Sequence, residues 1–297
     1  MIDLAQSTLN PTLLAKRAAV LDQLRSAAAG GRLGIAFSGG VDSTLLLALA
    51  AEALGPEGCL ALTARSASLA VDEWALCQRL AARLGVELLA LETQELERSA
   101  YRANGPDRCY HCKHELFETI DAEVRAAQGL VAVAYGATVD DLGDHRPGMQ
   151  AAREHAVLAP LADAGLGKAE IRALSRALGL PTWDKPAQPC LASRVPYGEQ
   201  VTRAKLERID GAEALLRQLG LREGRVRHHE TGGAALARVE VPLSDLPRAV
   251  ELREQLVTGL RQLGFHYVVL DLEGFRSGRQ NEILREQRLL PTVEGES

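Results

Sequence analysis

Apolar residues in this chain fall into short continuous runs separated by longer stretches with helical spacing. Residues 10–28 carry apolar side chains at helical intervals and stop at Gly30-Gly31, which predicts a helix. Leu33-Gly34-Ile35-Ala36-Phe37 follows as a short buried strand. Thr44–Leu54 reads as a helix ended by Gly55-Pro56, Cys59–Thr63 as a second strand, and Val71–Leu84 as a helix closed by Gly85. Val86–Leu91 is a third strand, His114–Ala127 a helix and Leu130–Tyr135 a fourth strand. Strands alternating with helices in this way predict an α/β fold, a doubly wound parallel sheet with helices on both faces.

The pattern changes near Pro196. Thr202–Leu219 is an amphipathic helix, and Gly224–His229 and Ala235–Val241 read as strands around Thr231-Gly232-Gly233. Leu246–Leu263 is a helix and Tyr267–Leu272 a further strand. The expected organisation is an α/β domain over 1–195 and a smaller C-terminal α+β domain over 196–297. The stretch Pro181–Tyr197, with four prolines, joins them. Pro291–Ser297 reads as a frayed end.

Charge and composition narrow the functional classes. The formal net charge of -5 gives no basic surface for nucleic acid, so no nucleic-acid partner is expected. No apolar run is long enough to span a membrane, and Met1-Ile2-Asp3 lacks the start of a signal peptide. A cytoplasmic, reducing setting is therefore expected, where disulfides are uncommon and polar-context cysteines point to chemistry. Of the five cysteines, Cys59 and Cys77 sit in apolar patterns and read as small core residues. Cys109, Cys112 and Cys190 sit in polar or turn-like surroundings.

Ser38-Gly39-Gly40-Val41-Asp42-Ser43 lies between an apolar strand and an apolar helix. Two glycines let the backbone turn sharply, two hydroxyls add donors, and the helix start supplies unpaired N–H groups. Together these make an anion cradle. Asp42 would repel a phosphate, and a Mg²⁺ ion beside it would explain its presence. Neither the Walker nor the dinucleotide-binding spacing is present.

In Arg108-Cys109-Tyr110-His111-Cys112-Lys113, two thiols stand three positions apart beside two cations that favour thiolate. Such a pair, with Cys190 of Gln188-Pro189-Cys190-Leu191-Ala192-Ser193-Arg194, could hold a cluster with one open position. A zinc site would need a fourth ligand, for which His111 or His114 is available. Arg225 and Arg227 alternate on a predicted strand and so share one face, with Arg194 as a further cation. Glu213 and Glu240 could orient them. Asp271, Glu273 and Arg276 form a polar group without an assigned role.

The SGGVDS loop resembles that of the PP-loop, adenine nucleotide alpha hydrolase-like ATP pyrophosphatases. Arg108–Lys113, Pro189–Gly198 and Leu270–Gly278 make the resemblance specific to the LarE family, over about Leu33 to Glu282. That family comprises ATP-dependent sulfur transferases of nickel-pincer nucleotide cofactor synthesis. The resemblance implies ATP bound by Ala36, Ser38, Gly39, Gly40, Asp42, Ser43, Thr63, Arg65, Gly136, Thr138 and Asp141, with Mg²⁺. It implies a pyridinium dicarboxylate mononucleotide held by Arg194, Glu213, Arg225, Arg227 and Glu240. Cys190, Asp42 and Lys113 are the expected catalytic residues. Homo-oligomers are common in the family, and the C-terminal domain is expected to bind substrate and mediate assembly. Two sulfur sources are known there: Cys190 itself, sacrificed to dehydroalanine, or a sulfide on a [4Fe-4S] cluster held by Cys109, Cys112 and Cys190. The presence of all three cysteines favours the cluster. A PP-loop tRNA thiolase and a non-catalytic nucleotide or iron–sulfur binder are the competing readings.

Overall fold

The computed structural model describes residues 9–141 and 147–276. The predicted frayed end at 291–297 and the last two positions of the Leu270–Gly278 motif lie outside them. The chain forms two compact units. The first comprises the described residues up to Gln94 together with Cys109–Gln188, and the second comprises Glu95–Arg108 and the residues from Pro189 onward. The boundary expected at 195/196 therefore moves to 188/189, and Glu95–Arg108 joins the second unit. Its reason is non-local: Asn104 and Arg108 are hydrogen-bonded to the backbone around residues 192–199.

In the first unit the helices longer than one turn are α1 (Pro11–Ala27), α2 (Val41–Leu54), α3 (Val71–Leu84), α4 (Arg108–Thr119), α5 (Pro147–Glu154) and α6 (Lys168–Ala177). The strands are β1 (Arg32–Ala36), β2 (Cys59–Ala64), β3 (Leu88–Leu91) and β4 (Leu130–Tyr135). All pair in parallel, in the order β3-β2-β1-β4. Leu158 adds a single parallel bridge outside β4. Alternation along the strands sends side chains to two separate cores. Leu33, Ile35, Cys59, Ala61 and Ala134 meet α1, α2, α3 and α6 on one face. Ala36, Leu60, Leu62, Val133 and Tyr135 meet α4 and α5 on the other. The doubly wound expectation is borne out. The strand order reverses at β1, so the crevice beyond the carboxyl ends of β1 and β4 is where such sheets bind ligands.

Two elements differ from expectation. The helix expected from His114 begins six residues earlier, at Arg108, so Cys109 and Cys112 lie on a helix rather than in a loop. That helix then widens into a π turn at Ile120–Val124, closed by Arg125 N–H donating to the Ile120 carbonyl at 2.8 Å. The helix α6 was not anticipated. Glu170 caps it by accepting from the Gly167 N–H at 3.0 Å, and Ile171 and Leu174 are fully buried.

The second unit contains α7 (Arg203–Gln218), α8 (Leu246–Glu251), α9 (Arg253–Gln262) and the strands β5 (Arg225–Thr231), β6 (Ala234–Glu240) and β7 (Tyr267–Leu270). The single helix expected over 246–263 breaks at Leu252, whose side chain turns into the core. β5 and β6 are antiparallel, and β7 runs parallel to β6. Val226, Ala235, Ala237 and Val239 pack with Leu216 of α7 and Leu256 and Leu260 of α9. The opposite parity carries Arg225, Arg227, His229, Arg238 and Glu240 on the other face of the sheet.

His228 is completely buried on the apolar side, and burial pushes its imidazole down to about 4. Arg208 Nη1 donates to its Nε2 at 3.0 Å, which a neutral ring accepts and an imidazolium cannot. The unfolded ring has a pKa of about 6.5, so below that pH the unfolded chain binds a proton that the folded one refuses. Stability of the second unit is expected to fall as pH drops from about 6.5 to about 4. Urea unfolding midpoints at pH 7 and pH 5 check this, and His228→Gln should show a smaller difference between them.

Candidate functional site

The SGGVDS loop leaves β1 at the sheet's switch point. Gly39 has φ 66°, and a Cβ there would sit 3.0 Å from the Cys77 sulfur, so both the conformation and the space call for glycine. Burial raises the thiols of Cys59 and Cys77 to about 11, in keeping with inert core residues. Ser43 Oγ accepts from the Ser38 N–H at 3.2 Å and lies 3.1 Å from Ser38 Oγ, so the two hydroxyls close the cradle across its mouth. Gly40 caps α2 without a side chain, leaving the helix N–H groups open to an anion.

Of the other residues expected at ATP, Thr63 and Gly136 meet this loop directly. Thr63, at the end of β2, donates its hydroxyl to the Phe37 carbonyl at 2.7 Å. That hydroxyl thereby ties the neighbouring strand end to the loop. Arg65 is exposed and lies 5.9 Å from the Trp74 ring, with Glu92 at 3.6 Å. Gly136 follows β4, and a Cβ there would sit 2.8 Å from the Ser43 nitrogen, so the loop after β4 rests directly on the start of α2. Thr138 donates both N–H and hydroxyl to Asp141 Oδ2, at 2.9 and 3.0 Å. Lys113 lies 5.7 Å from the Tyr135 ring at the end of β4. Ala36 is the last residue of β1.

Two lysines at the loop were not anticipated. Lys168, the first residue of α6, places Nζ 2.7 and 2.6 Å from the two Asp42 oxygens, while its N–H donates to Asp140. The charge of Asp42, attributed from sequence to a Mg²⁺ neighbour, is thus balanced by Lys168. Lys185 donates to the Gly39 carbonyl at 3.1 Å and to Glu73 at 2.6 Å. Its place in a proline-rich stretch gave a signal for a loop but none for a target.

In the second unit Cys190 is exposed and precedes a single 3-10 turn, Leu191–Arg194. Arg194 is buried and grips this turn. Its Nη1 donates to the Pro189 carbonyl at 2.6 Å and faces that of Cys190 at 3.2 Å, and Nε and Nη2 engage both Glu213 oxygens at 2.9 and 3.0 Å. Its geometry is that of a clamp on the cysteine turn. Glu213 also accepts from the Val226 N–H at 3.2 Å. Arg227 donates to Glu240 at 3.0 Å and to the Ser193 carbonyl at 2.8 Å. Glu240, fully buried, accepts in turn from Arg238 at 2.7 Å, and Arg238 also pairs with Asp271. Asp271 thus anchors this network, while Arg276 pairs with Glu273 at 3.6 Å.

Arg225 differs from its neighbours. Nη1 donates to the Gly224 carbonyl at 3.0 Å, and the guanidinium lies 5.0 Å from the Phe275 ring. Burial and the nearby arginines lower its pKa. Its Nε and Nη2 have no acceptor among the described residues. Arg194, Arg225, Arg227 and Arg238 lie among Glu213, Glu240 and Asp271, and Arg217 adds to the positive field at Arg225.

Cys109 and Cys112 lie in the first two turns of α4, one exposed and one half-buried, and no cysteine forms a disulfide. Among the described residues, no group of three His, Cys, Asp or Glu side chains is assembled to hold a metal ion. No described helix is long and apolar enough to cross a membrane.

Comparison with known proteins agrees with this layout. The asparagine synthase family model matches residues 16–112, the stretch that carries the loop and the first three strands. An uncharacterized protein of Synechocystis sp. is 44% identical over 252 residues, covering 84% of this chain and 92% of its own. An uncharacterized protein of Methanocaldococcus jannaschii is 28% identical over 245 residues, covering 82% and 90%. The pyridinium-3,5-bisthiocarboxylic acid mononucleotide synthase of Lactiplantibacillus plantarum is 34% identical over 278 residues, covering 94% of this chain and 98% of that protein. An exposed cysteine on a clamped turn, a parallel sheet with an SGGVDS cradle and this end-to-end likeness lead to one assignment: the chain belongs to the LarE family of PP-loop, ATP-dependent enzymes.

Proposed function

We propose that the protein activates a carboxylate of a pyridinium dicarboxylate mononucleotide with ATP and converts it to a thiocarboxylate. The observation that carries this reading is the pairing, in one unit, of the exposed Cys190 with a basic group that retains open donors on Arg225. A carboxylate is a poor electrophile. Its oxygen attacks the α-phosphorus of ATP, the bond to the β-phosphate oxygen breaks, and pyrophosphate leaves. The cradle N–H groups, Ser38 and Ser43 stabilise the charge on the leaving phosphates. Asp42 is the carboxylate available to share a Mg²⁺ ion with those phosphates, with Lys168 balancing its charge. Lys113 and Lys185 add cations on the same unit.

A sulfur nucleophile then attacks the acyl carbon and AMP leaves. With Cys190 as nucleophile the product is a thioester. Loss of the Cys190 α-proton and cleavage of its Cβ–S bond release the thiocarboxylate and leave dehydroalanine. Cys109 and Cys112, one helical turn apart, have the spacing of two ligands to one cluster, with Cys190 as the third. Such a cluster would supply a sulfide in place of the Cys190 sulfur, and the retention of all three cysteines supports it. The second unit binds the nucleotide substrate in this reading. Its exposed Leu243, Val250, Tyr267 and Leu272 are candidates for contact with a second copy.

Purified protein given ATP, Mg²⁺ and the dicarboxylate mononucleotide should release pyrophosphate and form thiocarboxylate, both read by mass spectrometry. Pyrophosphate release with tRNA and not with the mononucleotide would overturn the assignment. Arg227→Ala should raise KM for the mononucleotide about tenfold or more with little change in KM for ATP, since a charged hydrogen bond is worth about 1.5–3 kcal/mol. Equal weakening of both would remove Arg227 from the substrate site.

A further inference from the structure

The segment Glu95–Arg108 departs from the first unit after β3 and packs into the second. Asn104 is its centre. It is completely buried and has φ 56°, the left-handed conformation that asparagine tolerates better than most residues. Its side-chain Nδ2, with two hydrogens to share, lies within hydrogen-bond distance of the carbonyls of Val195 at 3.2 Å, Pro196 at 2.7 Å and Glu199 at 3.0 Å. Its amide oxygen accepts from Arg108, which also donates to the Ala192 carbonyl at 2.9 Å and lies 5.7 Å from the Tyr197 ring. The main chain adds Gly198 N–H to the Asn104 carbonyl at 3.2 Å and Val201 N–H to the Arg102 carbonyl at 2.9 Å.

These contacts fall on the turn-rich stretch that leaves the Cys190 turn. Arg194 holds the turn's entry at Pro189 and Cys190, while Asn104 and Arg108 hold its exit from Ala192 to Glu199. No side chain other than asparagine meets the requirements together. Glycine has the conformation and lacks the amide; aspartate has the shape and would turn a carboxylate towards three carbonyl oxygens.

The geometry points to Asn104, assisted by Arg108, as the positioning residue of the Cys190 turn: it sets the sulfur-transfer step and not the activation by ATP. This rests on the reading of Cys190 given above. Attack on an acyl adenylate requires the sulfur over the face of the acyl carbon, and a misplacement of about 1 Å costs on the order of 100-fold in rate.

The test uses the full-length protein with Asn104→Gly, which retains the backbone conformation, and Asn104→Asp as a second variant. Thiocarboxylate formation in a single turnover should fall 10- to 100-fold, with pyrophosphate release and KM for ATP within about threefold of wild type. In a separate measurement, the rate of Cys190 alkylation by iodoacetamide, followed by peptide mass spectrometry, should change at least threefold while that of Cys109 does not. Parallel loss of both half-reactions would reduce Asn104 to a general structural role and overturn the proposal, as would an unchanged Cys190 alkylation rate in a folded Asn104→Gly protein. Wild-type protein that releases no pyrophosphate refutes the activity itself, and the alkylation measurement still decides the role of Asn104.

Discussion

Cys190→Ala is expected to abolish thiocarboxylate formation, by at least about 10³-fold, while pyrophosphate release from ATP continues. The separation follows from the fold. The phosphate cradle is built from β1, α2 and the loops after β2 and β4, all in the first unit, and the hydrogen bonds of Ser38, Thr63 and Thr138 described above stay within that unit. Cys190 is exposed at the start of a turn whose backbone is held by Arg194 through carbonyl groups, so removing its sulfur leaves the clamp intact. Both sulfur sources require this residue, one as donor and one as ligand. Cys109→Ala divides them. A sacrificial enzyme retains one turnover and ends lighter by one hydrogen sulfide, whereas a cluster enzyme loses iron and activity together. Intact mass, iron content and single-turnover product measured on the three proteins decide the matter. Pyrophosphate release that disappears with Cys190→Ala would mean that the cysteine takes part in activation.

What could be read from the sequence was what depends on near neighbours. β4 was located to the residue, and α3 likewise, because their apolar periods are clean and their ends are marked by glycine. The SGGVDS cradle was legible because its chemistry lies in six consecutive residues. Arg225 and Arg227 were placed on one face by the period-2 rule and do share it, and Glu240, expected to orient them, bonds to Arg227. The remainder depends on long-range closure. Lys168 meets Asp42 from 126 residues away, and Lys185 meets Gly39 from 146. Asn104 bonds to groups 91 to 95 residues on, which is why the domain boundary was misplaced and the anchor of the cysteine turn went unseen. α6 was missed because two glycines, Gly165 and Gly167, stand immediately before a short apolar period, although Glu170 three positions after Gly167 was a usable capping signal. The start of α4 was missed because Arg-Cys-Tyr-His-Cys offers no apolar period; its helix is set by packing of Leu116 and Phe117 further along.

Glu240→Ala is expected to lower stability by roughly 3–5 kcal/mol, the range for stranding a buried charge. Glu240 is fully buried and receives two arginines, Arg227 on one oxygen and Arg238 on the other. Arg238 keeps Asp271 as a second partner, but Arg227 has only the Ser193 carbonyl left. The unpaired guanidinium of Arg227, already disfavoured by burial, is the larger part of the loss. Urea and thermal midpoints measure it. Glu240→Leu combined with Arg227→Met should recover much of the stability, because an apolar pair of similar size avoids desolvating either charge. The same double variant should not recover use of the mononucleotide, since it removes a cation and frees the Ser193 carbonyl beside the Cys190 turn. Recovery of both properties together would mean that the Arg227–Glu240 pair serves the fold alone. Recovery of stability without substrate use would assign the buried charge to function, retained at a cost that packing could have avoided.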